Sequence, residues 1–389
     1  MDVQKQVEGA LEAYGNKRIG RREFLKLLGA AGVTAGAAGQ LLATAHEAHA
    51  QAVNVGGTFI EGYDRDFNPL DPLKSPWADP GMNAVYEPLV SRDMEGRIVA
   101  FLAESYESSD AQWRFTIPQG RQFHSGADLT PQSVVDAIKV MMTTGEGQNA
   151  SFYTAVSSVE TDGSDVVVNL STPKQGLGEV LATEYAYIPN VARRIEVGVG
   201  TFGAREADGT GPFRLTEYTT GSRVRVEKWA EYKGSGAPYF ENRGAAHLDA
   251  VEWVPILEPS QRAAEIETGS VHAVKNPSPA DVGRLQSNSD LVVIEFPETS
   301  NFFLLPNARK VEFGFDDVRV RRALSHAIDR EGIVRAILNG RGEATRGPVS
   351  SGWKYYEPGV TAFNQHDPDL SASLLDEAGW TVGSGGGRG

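Results

Sequence analysis

Residues 113–142 read WRFTIPQGRQFHSGADLTPQSVVDAIKVMM and place a strand, a turn and a helix in close succession. Bulky apolar side chains at every second position predict the strand, with Trp113, Phe115 and Ile117 on one face. Thr130 is a helix-capping residue and Pro131 suits the first helical position, so a helix is predicted to begin there. Its buried stripe is Val134, Val135, Ile138 and Met141.

The same two signals recur on both sides of this stretch. Further strands are predicted at residues 53–55, 57–60, 166–170, 224–227, 251–256, 291–296 and 302–305. Further helices are predicted at residues 82–90, 260–267, 318–328, 330–338 and 369–378. The fold class is therefore mixed α/β. A length of 389 residues is enough for two domains, because single cores stop growing at roughly 250–300 residues.

Charge and composition exclude several classes of protein. The chain carries 37 basic and 51 acidic residues, a formal net charge of -14. This acidic balance argues against a nucleic-acid partner and against an anionic membrane surface. Cysteine is absent, which excludes disulfides, thiolate metal sites, cysteine nucleophiles and a lipid attached to an N-terminal cysteine.

The N-terminal segment has the pattern of an export signal. A basic cluster precedes a mildly apolar run over residues 27–45, and Ala48-His49-Ala50 provides a small-x-small cleavage sequence. We therefore predict that residues 1–50 are a signal peptide, cleaved near Ala50. An amphipathic helix or a membrane anchor is the alternative, which the abundance of glycine and alanine in the run disfavours.

The basic cluster contains the pair Arg21 and Arg22, followed by Phe24-Leu25-Lys26. This pattern resembles a twin-arginine export signal, which implies passage through the twin-arginine translocase. That route carries proteins already folded in the cytoplasm, and the low hydrophobicity of the apolar run is consistent with it. The predicted location is the periplasm, without a lipid anchor.

No arrangement of residues in the sequence points to catalysis. The histidines outside the predicted signal are scattered without metal-ligand spacing, and no G-x-S-x-G or H-E-x-x-H motif occurs. Gly209-Thr210-Gly211 precedes a proline and a strand rather than a helix, so it is not a phosphate-binding loop. We therefore predict neither an enzyme nor a bound cofactor or metal, and we interpret His124 as a structural hydrogen-bonding residue.

A series of segments resembles one protein family in order and in spacing. They are Leu70-Asp71-Pro72, Tyr86-Glu87-Pro88-Leu89-Val90, residues 102–106, residues 113–117, Phe123-His124-Ser125-Gly126, residues 209–213 with Tyr232, residues 317–330 and residues 374–380. The chain resembles the peptide and nickel class of periplasmic solute-binding proteins, bacterial extracellular solute-binding family 5, which serve ATP-binding cassette (ABC) importers. Because most of these segments build the scaffold, the resemblance implies a fold and a receptor function rather than a chemical step.

The resemblance implies a two-lobed periplasmic binding protein-like fold of class II, cluster C type, whose lobes close around a ligand. Residues 51–90 and 208–304 would form the main part of the first lobe, and residues 91–207 an extra subdomain of it. Residues 305–389 would belong to the second lobe, which we expect to be incomplete because family members continue further. The residues that fix the ammonium group of a peptide in relatives would lie largely in the missing part.

Two groups of residues are predicted to reach the ligand cleft. The first follows the segment at which relatives touch the ligand backbone and consists of Ser75, Pro76 and Trp77. Trp77 would provide an apolar wall, and the alternative is a core or surface tryptophan. The second group lies at the crossover into the second lobe and consists of Asn301, Phe302 and Phe303. For these residues the alternative is an ordinary buried strand.

The predicted function is that of the substrate-binding component of an ABC importer. It would bind a small solute, in the first place an oligopeptide or dipeptide, and deliver it to the permease subunits in the inner membrane. A receptor for a nickel chelate, an oligosaccharide or an opine is one alternative, and a cofactor-containing exported enzyme is another. A third is a chain that does not fold stably and has no function of its own. We expect the receptor to be a monomer without a nucleic-acid partner.

Overall fold

Helices and strands alternate along the chain in the computed structural model, which confirms the mixed α/β class. The structure describes residues 55–75, 79–143, 149–173, 176–296, 301–345, 347–353, 355–359 and 365–383, together with residues 7, 10, 24 and 26–28. Arg21, Arg22 and Ala50 of the predicted signal lie outside the described residues.

The strands and helices have the following bounds. The strands are β1 (Thr58–Tyr63), β2 (Val90–Arg92), β3 (Ile98–Ala100), β4 (Ser105–Ser108), β5 (Gln112–Thr116), β6 (Val156–Asp162), β7 (Asp165–Leu170), β8 (Phe213–Thr219), β9 (Arg223–Lys228), β10 (Ala250–Pro255) and β11 (Ala273–Val274). The α-helices are α1 (Pro80–Val85), α2 (Pro131–Met142), α3 (Leu177–Leu181), α4 (Val191–Val197), α5 (Pro259–Thr268), α6 (Val282–Gln286), α7 (Val318–Ala327), α8 (Arg330–Ala336) and α9 (Pro368–Glu377).

The chain divides into two units. Unit 1 comprises residues 1–61 and 66–255, and unit 2 comprises residues 62–65 and 256–389. The chain therefore passes from unit 1 into unit 2 twice, first for residues 62–65 and again after β10. The finer division of a first lobe into a main part and an extra subdomain stays a prediction.

Unit 1 contains two larger sheets. In one of them β1, β10, β9 and β8 lie side by side in that order. Strands β8 and β9 form an antiparallel hairpin, in which Thr219 lies opposite Arg223. The sequence predicts its turn at Thr220-Gly221. Strand β10 continues the antiparallel pairing, with Trp253 opposite Val224. The other sheet has the order β4-β5-β7-β6 and belongs to the main hydrophobic core.

The strand and helix predicted within residues 113–142 are confirmed as β5 and α2. At the start of α2, the Thr130 hydroxyl accepts the Ser133 backbone N–H at 3.1 Å, and the Ser133 hydroxyl accepts the Thr130 N–H at 3.0 Å. This reciprocal pair satisfies two backbone donors that the first turn of a helix leaves open. The apolar stripe of α2 and Phe115 of β5 are buried in one hydrophobic core.

Unit 2 contains the predicted helices α7, α8 and α9, and local caps explain where they begin. Asp317 accepts the Arg319 backbone N–H at 2.7 Å at the start of α7, and Asp367 accepts the Leu370 N–H at 2.9 Å at the start of α9. The two helices pack against each other, and the Ser371 hydroxyl donates to the Ala323 carbonyl at 2.8 Å. The sequence pattern predicts that Val320, Ala323, Leu324 and Ala327 of α7 face the interior. Val320 and Ala323 are buried, but Leu324 and Ala327 face solvent, so the prediction is wrong for these two residues.

The strands predicted at residues 291–296 and 302–305 are not formed. Both segments are irregular, and their apolar side chains face solvent, including Val292, Ile294 and Phe302. An apolar pattern specifies a strand only where a neighbouring strand offers backbone hydrogen bonds and a surface to cover. No described strand lies beside either segment in this structure. The two segments are apolar, but the prediction that they form strands is wrong.

Candidate functional site

The predicted ligand-contacting residues fall in different parts of the structure. Ser75 is buried in unit 1, where its backbone N–H donates to the Asp71 carbonyl at 2.9 Å. Pro76 and Trp77 lie outside the described residues. The second group, Asn301, Phe302 and Phe303, belongs to unit 2. Since the two groups belong to separate units, their use as one site stays a prediction.

The second group is not part of a buried strand, which corrects the alternative considered from the sequence. Phe302 is fully exposed and Phe303 is 75% exposed. Two adjacent exposed phenylalanines are uncommon on a soluble protein surface, and a cluster of such side chains marks a contact site. Their exposure makes the two rings accessible to a ligand.

The loop that leads to Ser75 is anchored by a buried ion pair. Arg194 of α4 donates through Nε to Asp71 Oδ2 at 2.9 Å, and both side chains are almost completely removed from solvent. Asp71 Oδ1 also accepts the Leu73 backbone N–H at 3.1 Å. Burial raises the pKa of Asp71, and the Arg194 charge lowers it by less. The pair therefore fixes the loop at the cost of removing two charges from water.

Hydrogen bonds on either side of Asp71 hold the same loop. The Tyr86 hydroxyl donates to the Leu70 carbonyl at 2.6 Å, and the Leu70 N–H donates to the Gly203 carbonyl at 2.8 Å. Gly203 has a φ of +86°, and a side chain there would collide with the Asp71 backbone N–H. Only glycine satisfies both conditions. The Leu70-Asp71-Pro72 segment is thus held by scaffold contacts, as the sequence predicted.

The entrance to the loop is tied to the β8–β9 hairpin. The Tyr218 hydroxyl donates to the Phe67 carbonyl at 2.8 Å, and Asp66 accepts the Gly221 backbone N–H at 2.9 Å. Further along, Asp79 accepts the Asn68 N–H at 2.9 Å. The described part of the loop is therefore held in place by hydrogen bonds within unit 1.

The Gly209-Thr210-Gly211 segment passes close to the end of α1. A side chain on Gly209 would collide with the Val85 carbonyl, and one on Gly211 would lie 2.5 Å from the Ala84 carbonyl oxygen. The Gly211 N–H donates to the Val85 carbonyl at 2.9 Å. The two glycines are therefore required by close approach of two backbones rather than by a bound phosphate.

A buried carboxyl group lies beside this segment. Glu87 Oε2 accepts the Thr210 hydroxyl at 2.8 Å, and Glu87 Oε1 accepts the Tyr232 hydroxyl at 2.6 Å. Burial raises the pKa of Glu87 to about 7, although both hydrogen bonds lower it. The sequence singled out Glu87 and Tyr232 as parts of motifs, but nothing in it indicated that residues 145 positions apart would meet.

His124 is a structural residue, as predicted. Its Nδ1 accepts the Gly209 backbone N–H at 3.4 Å, so Nε2 carries the proton and donates to the Gly211 carbonyl at 2.9 Å. The ring meets Trp229 edge-on with centroids 4.8 Å apart. Burial lowers the pKa of His124 to about 4, which keeps the imidazole neutral near pH 7.

The neighbouring Asp208 connects the same region to α4. Its carboxylate accepts the backbone N–H and the hydroxyl of Ser125 at 2.8 and 2.7 Å, and the Asn190 side-chain amide at 2.9 Å. Burial raises the pKa of Asp208, and the Ser125 bonds lower it by less. Asp208 thus joins the turn at Ser125 to Asn190 at the start of α4.

Within the described ranges, no three histidine, aspartate or glutamate side chains converge on a point that could hold a metal ion. In the same part of the chain, no helix has both the length and the apolar composition needed to cross a bilayer.

Comparison with known proteins identifies the family. The family model for bacterial extracellular solute-binding proteins, family 5 (Middle), matches residues 97–389. The chain belongs to this family. Members of family 5 are solute-binding proteins, so the resemblance stated from the sequence motifs is confirmed. The export signal of this chain, by contrast, stays a prediction.

A curated relative is similar along most of this chain. The glutathione-binding protein GsiB of Pectobacterium atrosepticum is 26% identical over 364 residues, which cover 91% of this chain and 65% of GsiB. The chain thus spans slightly less than two thirds of the length of that relative.

Solved structures show the same fold. The oligopeptide-binding protein AppA from Bacillus subtilis, in complex with a nonapeptide, has a TM-score of 0.73 and 24% identity, covering 86% of this chain and 68% of AppA. NikZ from Campylobacter jejuni, in complex with Ni(L-His), has a TM-score of 0.72 and 19% identity, covering 85% of this chain and 65% of NikZ. The two-lobed periplasmic binding protein type predicted from the motifs is therefore confirmed.

The buried pair in unit 1 predicts an asymmetric response to mutation. Asp71→Asn leaves the Arg194 charge buried without its counter-charge and should lower the free energy of unfolding by about 3–5 kcal/mol, measured by urea denaturation. Asp165→Asn is the matched control because Asp165 pairs with Arg114 at 2.9 Å nearer the surface, where a pair contributes about 0–1 kcal/mol. Equal losses in the two variants would contradict a special role for the buried pair.

The pKa of Glu87 predicts a pH dependence of stability. Folding raises this pKa from 4.5 to about 7, so between these values the folded state keeps a proton that the unfolded state has released. The contribution of Glu87 to stability therefore falls as pH rises through this range. Glu87→Gln removes the titration and should raise the melting temperature at pH 8, with little change at pH 4.5.

The control variant removes a carboxyl group that is exposed rather than buried. Glu104→Gln is the control, since Glu104 is exposed and its replacement should have a small effect at both pH values. His124 contributes the opposite trend, because its lowered pKa makes stability fall as pH drops from 6.5 towards 4. That trend is common to all three proteins and cancels in the differences. An equal gain for Glu87→Gln at pH 4.5 and pH 8 would show that proton binding is not the cause.

Proposed function

We propose that this protein is the exported substrate-binding component of an ABC importer and that its cargo is a short peptide. The observation that carries the proposal is the similarity to the glutathione-binding protein GsiB over 91% of this chain. Membership of family 5 supports the receptor class, since its members bind solutes. The bound protein would then deliver the peptide to permease subunits in the inner membrane. The AppA complex with a nonapeptide supports a peptide cargo for this fold.

The proposed contacts are divided between the two units. In unit 1, the proposed contacts are Ser75, which follows the anchored Leu70-Asp71-Pro72 segment, and the next two residues of the sequence, Pro76 and Trp77. In unit 2, the exposed rings of Phe302 and Phe303 provide apolar surface. An extended peptide in such a cleft bonds chiefly through its backbone, so apolar walls that tolerate varied side chains suit a receptor of broad specificity. Closure of the lobes is a population shift towards the conformation that makes more contacts with the ligand.

The same fold also supports a second cargo class. NikZ binds nickel as its histidine chelate on a fold that superposes on this chain with a TM-score of 0.72. A chelate brings its own ligand atoms, so such a receptor needs few metal-binding side chains of its own. Nickel–histidine complexes therefore belong among the cargoes tested.

The alternative of a cofactor-containing exported enzyme predicts a bound prosthetic group. The ultraviolet–visible spectrum of the purified protein would reveal such a group.

The cargo is tested by thermal unfolding in the presence of candidate ligands. Short peptides should raise the melting temperature in a saturable manner, because a ligand that binds only the folded state stabilises it. No shift across a broad peptide library, together with a clear shift for nickel–histidine or an oligosaccharide, would overturn the peptide assignment. No shift with any of these solutes would count against the receptor function itself.

The contact residues are tested with a peptide that gives such a shift. Phe302→Ala and Phe303→Ala should each weaken binding by roughly 5-fold or more, the effect expected when a contributing apolar contact is truncated. Both rings are exposed, so the melting temperature without ligand should change little. Val311→Ala is the matched control, because Val311 is a similarly exposed apolar residue of unit 2 outside the proposed contacts. Unchanged affinity in both phenylalanine variants would remove these residues from the site.

Export through the twin-arginine translocase is also part of the proposal, with cleavage near Ala50 and a periplasmic, monomeric product. Replacing Arg21 and Arg22 by lysine keeps the charge and removes the paired guanidinium groups. The periplasmic fraction, measured by cell fractionation, should fall to background. Lys17→Arg and Arg18→Lys in one chain is the control, and it should be exported normally. Normal export of the Arg21→Lys/Arg22→Lys variant would indicate a different route.

A further inference from the structure

The chain passes between its two units at three peptide bonds. These bonds follow residues 61, 65 and 255, because unit 2 consists of residues 62–65 and 256–389. Two of them enclose the short segment 62–65, and the third is the exit from β10. Any movement of one unit against the other must be absorbed by backbone rotation at or beside these bonds. The contacts of the flanking residues therefore decide how freely the units can move.

On the unit 2 side, the residues next to the crossings are bonded to each other. The Ile256 backbone N–H donates to the Tyr63 carbonyl at 2.8 Å, which joins the exit from β10 to the 62–65 segment. A side chain on Gly62 would lie 2.8 Å from the Ile256 Cδ1 atom, so the two segments are also in close contact. The crossings thus enter unit 2 at one place.

A buried arginine extends this connection. Arg262 of α5 has 3% of its surface exposed. Its Nη1 donates to the Leu257 carbonyl at 3.0 Å and to the Ile256 carbonyl, and its Nη2 donates to the Asn276 carbonyl at 2.6 Å. The Asn276 side-chain amide in turn donates to Asp64 Oδ2 at 2.7 Å. Arg262 therefore connects the 256–257 segment, through Asn276, to the 62–65 segment.

The chemistry of Arg262 and Asn276 suits this connection. A guanidinium presents several N–H donors in a rigid plane, so one arginine can hold carbonyls from separate segments at fixed angles. Burial of a charge is costly unless hydrogen bonds replace its hydration, and here the backbone of two segments supplies them. Asn276 has a φ of +50°, which asparagine tolerates better than most residues. Its carbonyl and its side chain bind different partners.

On the unit 1 side, the same crossings are anchored independently. Asp66 Oδ1 accepts the Gly221 backbone N–H of the β8–β9 turn at 2.9 Å. Strand β10 is paired with β9 as far as Trp253, which lies opposite Val224. The backbone between the anchored ends is therefore short, and few of its dihedral angles can change without breaking a hydrogen bond.

We propose that Arg262 is a positioning residue for movement between the units. By holding the 62–65 and 256–257 segments together, it makes the crossings act as one hinge and limits the range of relative motion. In a receptor this is the motion that encloses the ligand, and that part of the inference rests on the proposed function. The limit itself is a property of the ligand-free chain.

The test measures the distance between the units in the ligand-free full chain. The sequence has no cysteine, so spin labels attach only at Lys139→Cys on α2 and Ser373→Cys on α9, both exposed positions. Double electron–electron resonance then gives the distribution of the distance between the labels. Adding Arg262→Met, which keeps an unbranched apolar side chain and removes every N–H donor, should widen this distribution.

Arg284→Met is the matched control within unit 2. The partners of Arg284 are Glu267 and Asp281, which lie outside the crossing segments. This variant should leave the width of the distribution unchanged. Equal widening by Arg262→Met and Arg284→Met would overturn the proposal, since loss of any arginine from unit 2 would then have the same effect.

Urea denaturation of the same labelled variants separates motion from stability. If Arg262→Met lowers the denaturation midpoint but leaves the width unchanged, Arg262 has a structural role only and the proposal is overturned. Asn276→Gly is a second variant, because glycine adopts a positive φ readily and keeps the carbonyl that Arg262 binds. It removes the bond to Asp64 and should also widen the distribution.

Should Arg262→Met fail to fold, Asn276→Gly decides alone, and an unchanged width in that variant overturns the proposal. Every comparison is made without ligand. A wild type that binds no peptide would therefore count against the proposed function, while the widths of the distributions would still decide the role of Arg262.

Discussion

The described part of the predicted ligand loop depends on one carboxylate and one guanidinium that share a dry interior. Asp71 and Arg194 are separated by more than a hundred residues in sequence, and their pairing fastens the loop to α4. Taken singly, each charge would be unstable in this environment. As a pair, they hold an irregular segment in place although it belongs to neither a helix nor a strand. Ser75 is held with it, because its backbone N–H donates to the Asp71 carbonyl.

The buried polar groups near residues 209–211 perform a related task. Glu87, His124 and Asp208 are residue types found in catalytic sites, yet each binds a backbone or hydroxyl partner across the fold. Their shifted pKa values follow from burial. A perturbed pKa therefore indicates chemistry only where the group also faces a substrate. A receptor benefits from such groups because they make a scaffold rigid while its ligand-facing surface stays adaptable.

Features decided by neighbours in sequence were predictable, and features decided by distant partners were not. The starts of α2 and α7 follow from Thr130 and Asp317, which cap the next turn of their own chain. The contact between Glu87 and Tyr232 depends on tertiary folding. Residues 302–305 show this most plainly. Their apolar run predicts a buried strand, but it does not say which element would cover the side chains, and in this structure they are exposed. For the site, the anchored loop was predictable from a motif, whereas Arg194 was not.

The close approach at Gly209 and Gly211 limits how this sequence can diverge. Elsewhere a substitution can be absorbed by a neighbouring side chain that rotates aside, but here the obstacle is the Val85 and Ala84 backbone, which has no alternative rotamer. At 26% identity to GsiB, about three quarters of the aligned positions have changed. A side chain at either position would require the backbone of another segment to move, so we expect glycine at both positions in distant sequences that keep this fold.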